Sequence, residues 1–517
     1  MRRRSFLRHV SHSLAVPGVL GAMGFRMPGP NSLTSLLRMA ADTDRVLVMI
    51  FLEGGNDGLN TVIPLDQLSA LNKVRPHVIM PDNKLLNLSD ADVAFHPSFD
   101  GLKSLYDENR FQVIQNVGYP QQNYSHFRST DIWMSASDSN ELVNSGWTGR
   151  FLSDSYPGYP ESFPNDDMTD PLSIEIGYGS SLLFQGPQSS MSMVISDPDF
   201  FYDLIENEER EVPDTPAGEK LKYVRLIAKQ SQQYGQVVKA AAAKVKSQAT
   251  YPQTYIAQQL KIVSQLIAGG LRTPLYLVRM GGFDTHDAQV EGSDHTQGEH
   301  ASLLKDLNDG IMAFMKDLEM QGTDDKVVGQ TFSEFGRRIV SNASLGTDHG
   351  AAAPMFFFGN AVMGGVTGTN PSISSNAKYD DNLEWEFDFR QIYASVLEQW
   401  LGASSAQDVL FRDFETVSII GEREKTLAAQ PQEGRGLLVY PNPLNGRATI
   451  RVDAVSEAVA IDLIDISGKH IESIYRGNIS QDQQISWETY RLPPGKYFVT
   501  VRGQKTRRVF PVMKVGY

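Results

Sequence analysis

The sequence predicts a large α/β unit, a doubly wound and mostly parallel sheet with helices on both faces, followed by a small immunoglobulin-like β-sandwich. Three observations predict it. Residues 45–52 (Arg-Val-Leu-Val-Met-Ile-Phe-Leu) form an almost continuous apolar run of strand length that ends in Gly54-Gly55-Asn56-Asp57-Gly58. Such a run suits a central strand buried on both faces. Shorter runs of the same kind alternate with stretches of helical periodicity, as parallel strands joined by crossover helices do. Beyond residue 436 the pattern changes to short alternating runs separated by turns, as in a sandwich.

In chain order, residues 1–30 read as an export signal. Met1-Arg2-Arg3-Arg4-Ser5-Phe6-Leu7-Arg8 is basic, and the apolar run 14–23 behind it is too short to span a bilayer. Residues 31–421 hold the α/β unit. After 45–52, the runs 111–115, 274–280, 326–332 and 355–358 are its further strands. Leu304, Leu307, Ile311, Phe314 or Met315, and Leu318 recur at i, i+3/i+4 spacing and predict a helix. Residues 219–266 also favour helix, with few breakers before Pro252. Residues 422–436 are polar and carry Ala, Gln, Pro and Gly, which makes them a linker. In 437–517, the runs 448–452, 459–464, 471–475, 497–501 and 509–512 are strands. Asn445-Gly446, Ser467-Gly468 and Pro493-Pro494-Gly495 mark turns between them.

Composition narrows the function. The chain is 41% hydrophobic and 21% charged, enough apolar residue for a packed core and too much for disorder. It has no Cys, so disulfides, thiolate metal sites and a cysteine nucleophile are excluded. Residues 1–30 carry five Arg and no acid, and 437–517 carry 11 basic against 7 acidic residues. The stretch between is left with 31 basic and 54 acidic residues, a net −23. A surface that acidic repels polyphosphate, so nucleic acid is not the partner. No run of 18 apolar residues is present, so no ordinary membrane-spanning helix is predicted.

In parallel sheets, ligands bind beyond the carboxyl ends of the strands. Polar clusters follow the predicted strands there. Asp57 follows the first strand, and Asn123-Tyr124-Ser125-His126-Phe127 follows the second. Phe283-Asp284-Thr285-His286 and Ser333-Glu334-Phe335-Gly336-Arg337-Arg338 follow the next two, with Asp348-His349-Gly350 a little later. Carboxylates and imidazoles at several strand ends make up an oxygen- and nitrogen-ligated divalent metal site. Each has a plainer reading: an Asx turn at Asp57, a buried Asp284–His286 pair, a Glu334–Arg337 ion pair at a helix start, a helix cap at Ser125. His295 and His300 lie in a polar stretch and read as solvated. No HExxH, phosphate-binding loop, GxGxxG or GxSxG is present.

Three resemblances follow from these residues. Arg3-Arg4-Ser5-Phe6-Leu7 resembles a twin-arginine signal. Tyr440-Pro441-Asn442-Pro443, Ile466-Ser467-Gly468 and Leu492-Pro493-Pro494-Gly495-Lys496-Tyr497 resemble the C-terminal sorting domain of the type IX secretion system, which implies carriage across the outer membrane. The third rests on seven segments: Phe51-Leu52-Glu53-Gly54-Gly55-Asn56-Asp57-Gly58-Leu59-Asn60, Tyr124-Ser125-His126-Phe127, Gly146-Trp147-Thr148-Gly149-Arg150, Gly282-Phe283-Asp284-Thr285-His286, Ser333-Glu334-Phe335-Gly336-Arg337-Arg338, Gly346-Thr347-Asp348-His349-Gly350 and Asp388-Phe389-Arg390-Gln391-Ile392-Tyr393. Together they resemble domain-of-unknown-function family 1501, which looks like a distant relative of the alkaline phosphatase and sulfatase group.

That resemblance implies an alkaline phosphatase-like sheet, one or two divalent ions (Zn, Mn, Mg or Ca) and hydrolysis of a phosphate or sulfate ester on a small molecule or glycan. It implies Asp57, Asp284, His286, Glu334 and His349 as metal ligands and Ser125 as the nucleophile of an in-line displacement. Arg150 and Arg337 would clamp the substrate's charge. The pair Asp284-Thr285-His286 is closer spaced than the group's D-x-x-x-H, and Phe335 follows Glu334 where many members have His. One metal could therefore be weak or absent, and a non-catalytic relative serving as a secreted or surface binding protein is the alternative. Partners implied are the export and type IX machinery, and the location is the secreted or outer-membrane surface after transit through the periplasm.

Overall fold

The computed structural model describes residues 44–196, 215–403, 405–421 and, between 437 and 514, all but 441–443, 445, 453–457, 466–469, 481–482, 494 and 503–506. The segments read as export signal (1–30) and linker (422–436) lie outside the described residues. The chain forms two compact units, Met1–Arg423 and Glu424–Tyr517.

In chain order the first unit runs β1 (Val46–Leu52), β2 (Val62–Pro64), β3 (Leu86–Asn87), β4 (Val93–Phe95), α1 (Asp100–Asp107), β5 (Phe111–Gly118), α2 (His126–Ser135), α3 (Trp147–Ser155), β6 (Ser173–Ile176), β7 (Ser192–Ile195), α4 (Pro216–Lys244), α5 (Tyr255–Ala268), β8 (Leu275–Met280), α6 (Glu299–Gln321), β9 (Val327–Phe332), β10 (Gly336–Ser341), β11 (Thr347–Gly350), β12 (Ala353–Phe358), β13 (Gly365–Thr367), β14 (Phe387–Asp388) and α7 (Phe389–Ser395). Nine strands make the main sheet, in the order β13-β5-β12-β9-β1-β8-β6-β7 with β14 also beside β5.

β1 is central, parallel to β8 on one side and β9 on the other, and all seven of its residues are buried. Period-two alternation sends its side chains to two separate cores. Val46, Val48, Ile50 and Leu52 pack with Ile256 and Leu260 of α5 and Leu304, Leu307 and Ile311 of α6. Leu47, Met49 and Phe51 pack with Ile132 and Trp133 of α2, Phe151 of α3 and Ile392 of α7. Helices therefore cover both faces, which is why β1 reads as an unbroken apolar run. The stripe from Leu304 to Leu318 is the buried face of α6.

Two features depart from the predicted pattern. The run at 355–358 belongs to β12, which pairs antiparallel with both β5 and β9. Between β9 and β12 lies only the antiparallel hairpin β10–β11, and without a crossover helix the chain must return antiparallel. β6 and β7, four residues each, extend the sheet in parallel beyond β8. Their short runs are interrupted by Ser173, Glu175 and Ser192, which hides them in the sequence.

The second unit is all β, with one sheet of β15 (Leu437–Tyr440), β16 (Arg447–Val452) and β19 (Gln483–Glu488). The other holds β17 (Ala458–Asp465), β18 (His470–Asn478), β20 (Gly495–Arg502) and β21 (Arg507–Lys514). Among the described residues these strands pair antiparallel throughout, with one isolated parallel bridge between Leu444 and Lys514. Ile450, Val452, Ile461, Leu463, Trp487, Val499 and Val501 share one core. β19 escapes the sequence pattern because its residues are mostly polar. No helix of the described residues is long and apolar enough to cross a membrane.

Candidate metal centre

β1, β8 and β9 are parallel, and β5 runs the same way because β12 opposes both β5 and β9. Their carboxyl ends share one edge of the sheet. Leu52 pairs with Met280, and Phe51 with Phe332, so the loops that follow β1, β8 and β9 emerge side by side. Gly54 makes that approach feasible. Its φ is +120°, and a Cβ there would stand 2.3 Å from the Asp284 amide nitrogen. Likewise a Cβ on Gly346 would stand 2.2 Å from the His286 carbonyl oxygen. These two glycines let the loops carrying Asp284, His286 and His349 lie against their neighbours.

Three imidazoles meet at the Asp284 carboxylate. His349 Nε2 is 3.0 Å and His286 Nε2 3.2 Å from Asp284 Oδ1, and His126 Nε2 is 3.4 Å from Asp284 Oδ2. His286 Nε2 and His349 Nε2 are 2.9 Å apart. The other ring nitrogen of each histidine is tethered to oxygen. His126 Nδ1 donates to Glu334 Oε1 at 2.9 Å, His286 Nδ1 to Asp348 Oδ1 at 2.7 Å, and His349 Nδ1 to the Tyr124 carbonyl at 2.8 Å. These oxygens can only accept, so each Nδ1 carries the proton and each Nε2 a lone pair; the tautomers follow from the partners.

Four acceptors thus converge with no proton among them. Two imidazole lone pairs facing each other at 2.9 Å repel unless a cation lies between them. Tetrahedral bonds of about 2.0–2.1 Å set ligand atoms roughly 3.3 Å apart, close to the spacings of the three imidazoles from Asp284, and ligand atoms of His126, Asp284 and His349 all lie within 4.8 Å of one another. Anchoring the far ring nitrogen on a carboxylate or carbonyl is also how metal-binding histidines are held. The residues fit a divalent ion. Imidazole nitrogens with one carboxylate suit Zn, Mn, Fe, Co or Ni, whereas Mg and Ca prefer all-oxygen sites.

Burial pushes the Asp284 carboxyl up, but the neighbouring His349 and Arg337 outweigh it and hold the carboxyl down at about 2. Burial lowers His349, partly offset by the neighbouring Asp284 carboxylate. Asp348 is pushed up by burial and pulled further down by the Tyr379 hydroxyl and His286. The side chains of Asp284, His286 and His126 are 46%, 42% and 37% exposed, so solvent and a substrate can reach the centre.

The structure brings together Asp284, His286 and His349 of the predicted ligands and adds His126. Glu334 sits one layer out. It anchors His126, accepts the Gly54 amide at 2.9 Å, and its side chain is buried. Asp57 lies elsewhere, fully buried, with Oδ2 engaged by Arg75 and by Gln289 Nε2 at 2.6 Å. Gln289 Oε1 in turn accepts from Thr285 and Thr347, the residues before His286 and Asp348. Asp57 therefore braces the loops from behind.

The sequence reading gives His126 no ligand role and takes Ser125 beside it as the nucleophile. In the structure Ser125 is the N-cap of α2 with extended backbone, and His126 is the first helical residue. Helical side chains tilt toward the N-terminus, and this turns His126 onto Asp284. The signal present was its position one residue into a helix that follows a strand. Ser125 itself is exposed, and its hydroxyl makes no capping bond.

The two predicted substrate clamps are corrected. Arg337 is buried and spends its guanidinium on the carbonyls of Gly54, Gly55, Phe283 and Thr347 and on Asp284. It does not pair with Glu334 at a helix start, because Gly336–Ser341 is a strand. Arg150 is also buried, donating to the carbonyls of Val409, Ser145 and Ser135. Burial, with most of their donors spent on protein oxygens, closes both to a ligand. His300 is not solvated but buried, bonded to Asn56 Oδ1 at 3.1 Å, and burial lowers it to about 4. His295 is half-buried on the Ile79 carbonyl.

Residues 221–400 match the model of a family described as a protein of unknown function, DUF1501. Residues 438–512 match that of the secretion system C-terminal sorting domain. Two of the three resemblances read from the motifs are thus met, the DUF1501 one over part of its range. No curated protein matches the sequence. Among solved structures, the chain is similar to the PsFucS1 sulfatase from a Pseudoalteromonas species, at 10% identity and a TM-score of 0.32 over 90% of this chain and 88% of that one. It is also similar to an alkaline phosphatase superfamily protein from Vibrio parahaemolyticus, at 7% identity and a TM-score of 0.31 over 93% and 92%.

Proposed function

We propose that this chain is an exported, metal-dependent hydrolase of phosphate or sulfate esters, working where His126, His286, His349 and Asp284 meet. The observation that carries the reading is the convergence of three unprotonated Nε2 atoms on one carboxylate, with every far ring nitrogen anchored. A divalent ion held there supplies Lewis-acid stabilisation of the charge that builds on a transferring group. One centre with four donors from the chain replaces the two-ion arrangement, since Asp57 is committed to Arg75 and Gln289.

Ser125 is the proposed nucleophile. It adjoins His126, its hydroxyl is exposed and free of a capping bond, and it heads a ten-residue helix. Backbone amides and the dipole at that helix start favour a developing anion. Ser125→Ala should lower turnover of an aryl phosphate or sulfate ester by at least about 10²-fold while leaving the metal content unchanged. An unchanged rate would exclude Ser125. Absence of both metal and ester turnover in the wild type would overturn the hydrolase reading and favour a binding protein.

Residues 1–30 and the sorting domain then serve as addresses, the first for leaving the cytoplasm and the second for reaching the secreted or outer-membrane surface. Two antiparallel sheets around one core are what an immunoglobulin-like sandwich requires. With 422–436 as a polar linker, the sorting domain is a detachable address. A chain ending at Gly421 should show the same thermal unfolding of the main unit as the full chain. A drop of many degrees would mean that the two units share a core.

A further inference from the structure

Two arginines stand side by side in Gly336-Arg337-Arg338, and strand alternation sends them opposite ways. Arg337 turns in and is sealed. Arg338 turns out, with 21% of its side chain exposed. It is nonetheless held firmly. Its Nε donates to the His349 carbonyl at 3.2 Å, its Nη1 to the Tyr379 carbonyl at 2.9 Å and to Asp380, and its guanidinium lies 4.9 Å over the Tyr379 ring. Nη2 makes no hydrogen bond among the described residues.

Its fixings are also those of the metal centre. The Tyr379 hydroxyl donates to Asp348, whose other oxygen anchors His286. The carbonyl that accepts from Arg338 Nε belongs to His349, whose ring the Tyr124 carbonyl anchors. Arg338 is therefore tied directly to His349 and, through Tyr379 and Asp348, to His286. Asp380, its carboxylate partner, is 84% exposed, and water screens such a pair strongly. A guanidinium that is pre-positioned, partly wet and short of one acceptor matches the planar, bidentate recognition of an oxyanion.

We infer that Arg338 is the substrate-recognising side chain of this centre and binds the tetrahedral oxyanion of the ester, phosphate or sulfate. The inference rests on the hydrolase reading above and gives Arg338 the clamp role that Arg150 and Arg337 cannot fill. Phosphate and sulfate share this chemistry, and titrating both separates them.

The test is calorimetric titration of inorganic phosphate, and separately of sulfate, into the zinc-treated full chain, Arg338→Gln and Arg338→Lys. Hydrogen bonds to a charged group are worth enough that Arg338→Gln should weaken binding of the preferred anion at least about tenfold. Arg338→Lys should fall between, since it keeps the charge and loses the fork. Zinc affinity and the unfolding midpoint should stay at the wild-type values. Equal anion affinity in wild type and Arg338→Gln overturns the inference, as does a wild type that binds neither anion. Loss of zinc together with the anion in Arg338→Gln also overturns it and makes Arg338 a positioning residue. If the wild type takes up no metal, the hydrolase reading fails by itself, and the same titration still decides whether Arg338 binds oxyanions.

Discussion

Asp284→Ala should strip the centre of its metal. The carboxylate is the point on which the three imidazoles converge, with Oδ1 3.0 Å from His349 and 3.2 Å from His286 and Oδ2 3.4 Å from His126. Without it, three neutral rings remain and the ion loses its anionic ligand. A Lewis acid contributes several kcal/mol to the transition state, so turnover should fall at least about 10³-fold, together with metal content. Asp284→Asn should fail nearly as badly, because the amide keeps the shape and loses the charge. The fold should survive, since the side chain is 46% exposed. Metal analysis of the purified variants, with circular dichroism as a control, decides the matter. A variant that retains the wild-type metal content would remove Asp284 from the centre.

Arg337→Met should destabilise the main unit by about 3 kcal/mol or more, since each buried carbonyl left unpaired costs about 1–3 kcal/mol. The guanidinium serves four carbonyls and Asp284 from a fully buried position. Methionine would leave those acceptors unpaired in the interior. Arg337→Lys should recover little, because an ammonium cannot reproduce the fork. The carbonyls belong to loops after β1 and β8 and to β11, so metal affinity should drop with stability. Denaturant unfolding of the two variants is the check. A normal unfolding midpoint with weakened substrate binding would restore Arg337 as a clamp.

Local information carried much of the fold. The run at 45–52 announced a strand buried on both faces, and its neighbours at 274–280 and 326–332 were legible for the same reason. Between residues 219 and 266 the helical pattern divides into α4 and α5, with the gap at 245–254 containing Pro252. Where the pattern was diluted by polar residues, as in β6 and β19, the sequence was silent. The direction of β12 was not legible either, because strand direction depends on what connects the strands in space.

The candidate site divides along similar lines. That chemistry would collect after β1, β5, β8 and β9 was readable, since strand ends follow from hydrophobic pattern and parallel strands expose their carboxyl ends together. Asp284, His286 and His349 were readable for that reason. Which acid meets the imidazoles was not readable. Asp57, Asp284 and Glu334 all follow strands, yet Asp57 finds Arg75 and Gln289, Glu334 supports His126 from behind, and only Asp284 meets all three Nε2 atoms. The same holds for the arginines at 337 and 338, identical in composition, one sealed and one partly exposed, because a strand alternates. The sequence by itself determined the sheet, its buried central strand and the edge where the site lies, because these depend on apolar periodicity along the chain. Only the tertiary structure decided which side chains meet at Asp284 and which brace them, because that depends on contacts between residues such as His126 and Glu334, 208 positions apart, that local pattern cannot orient.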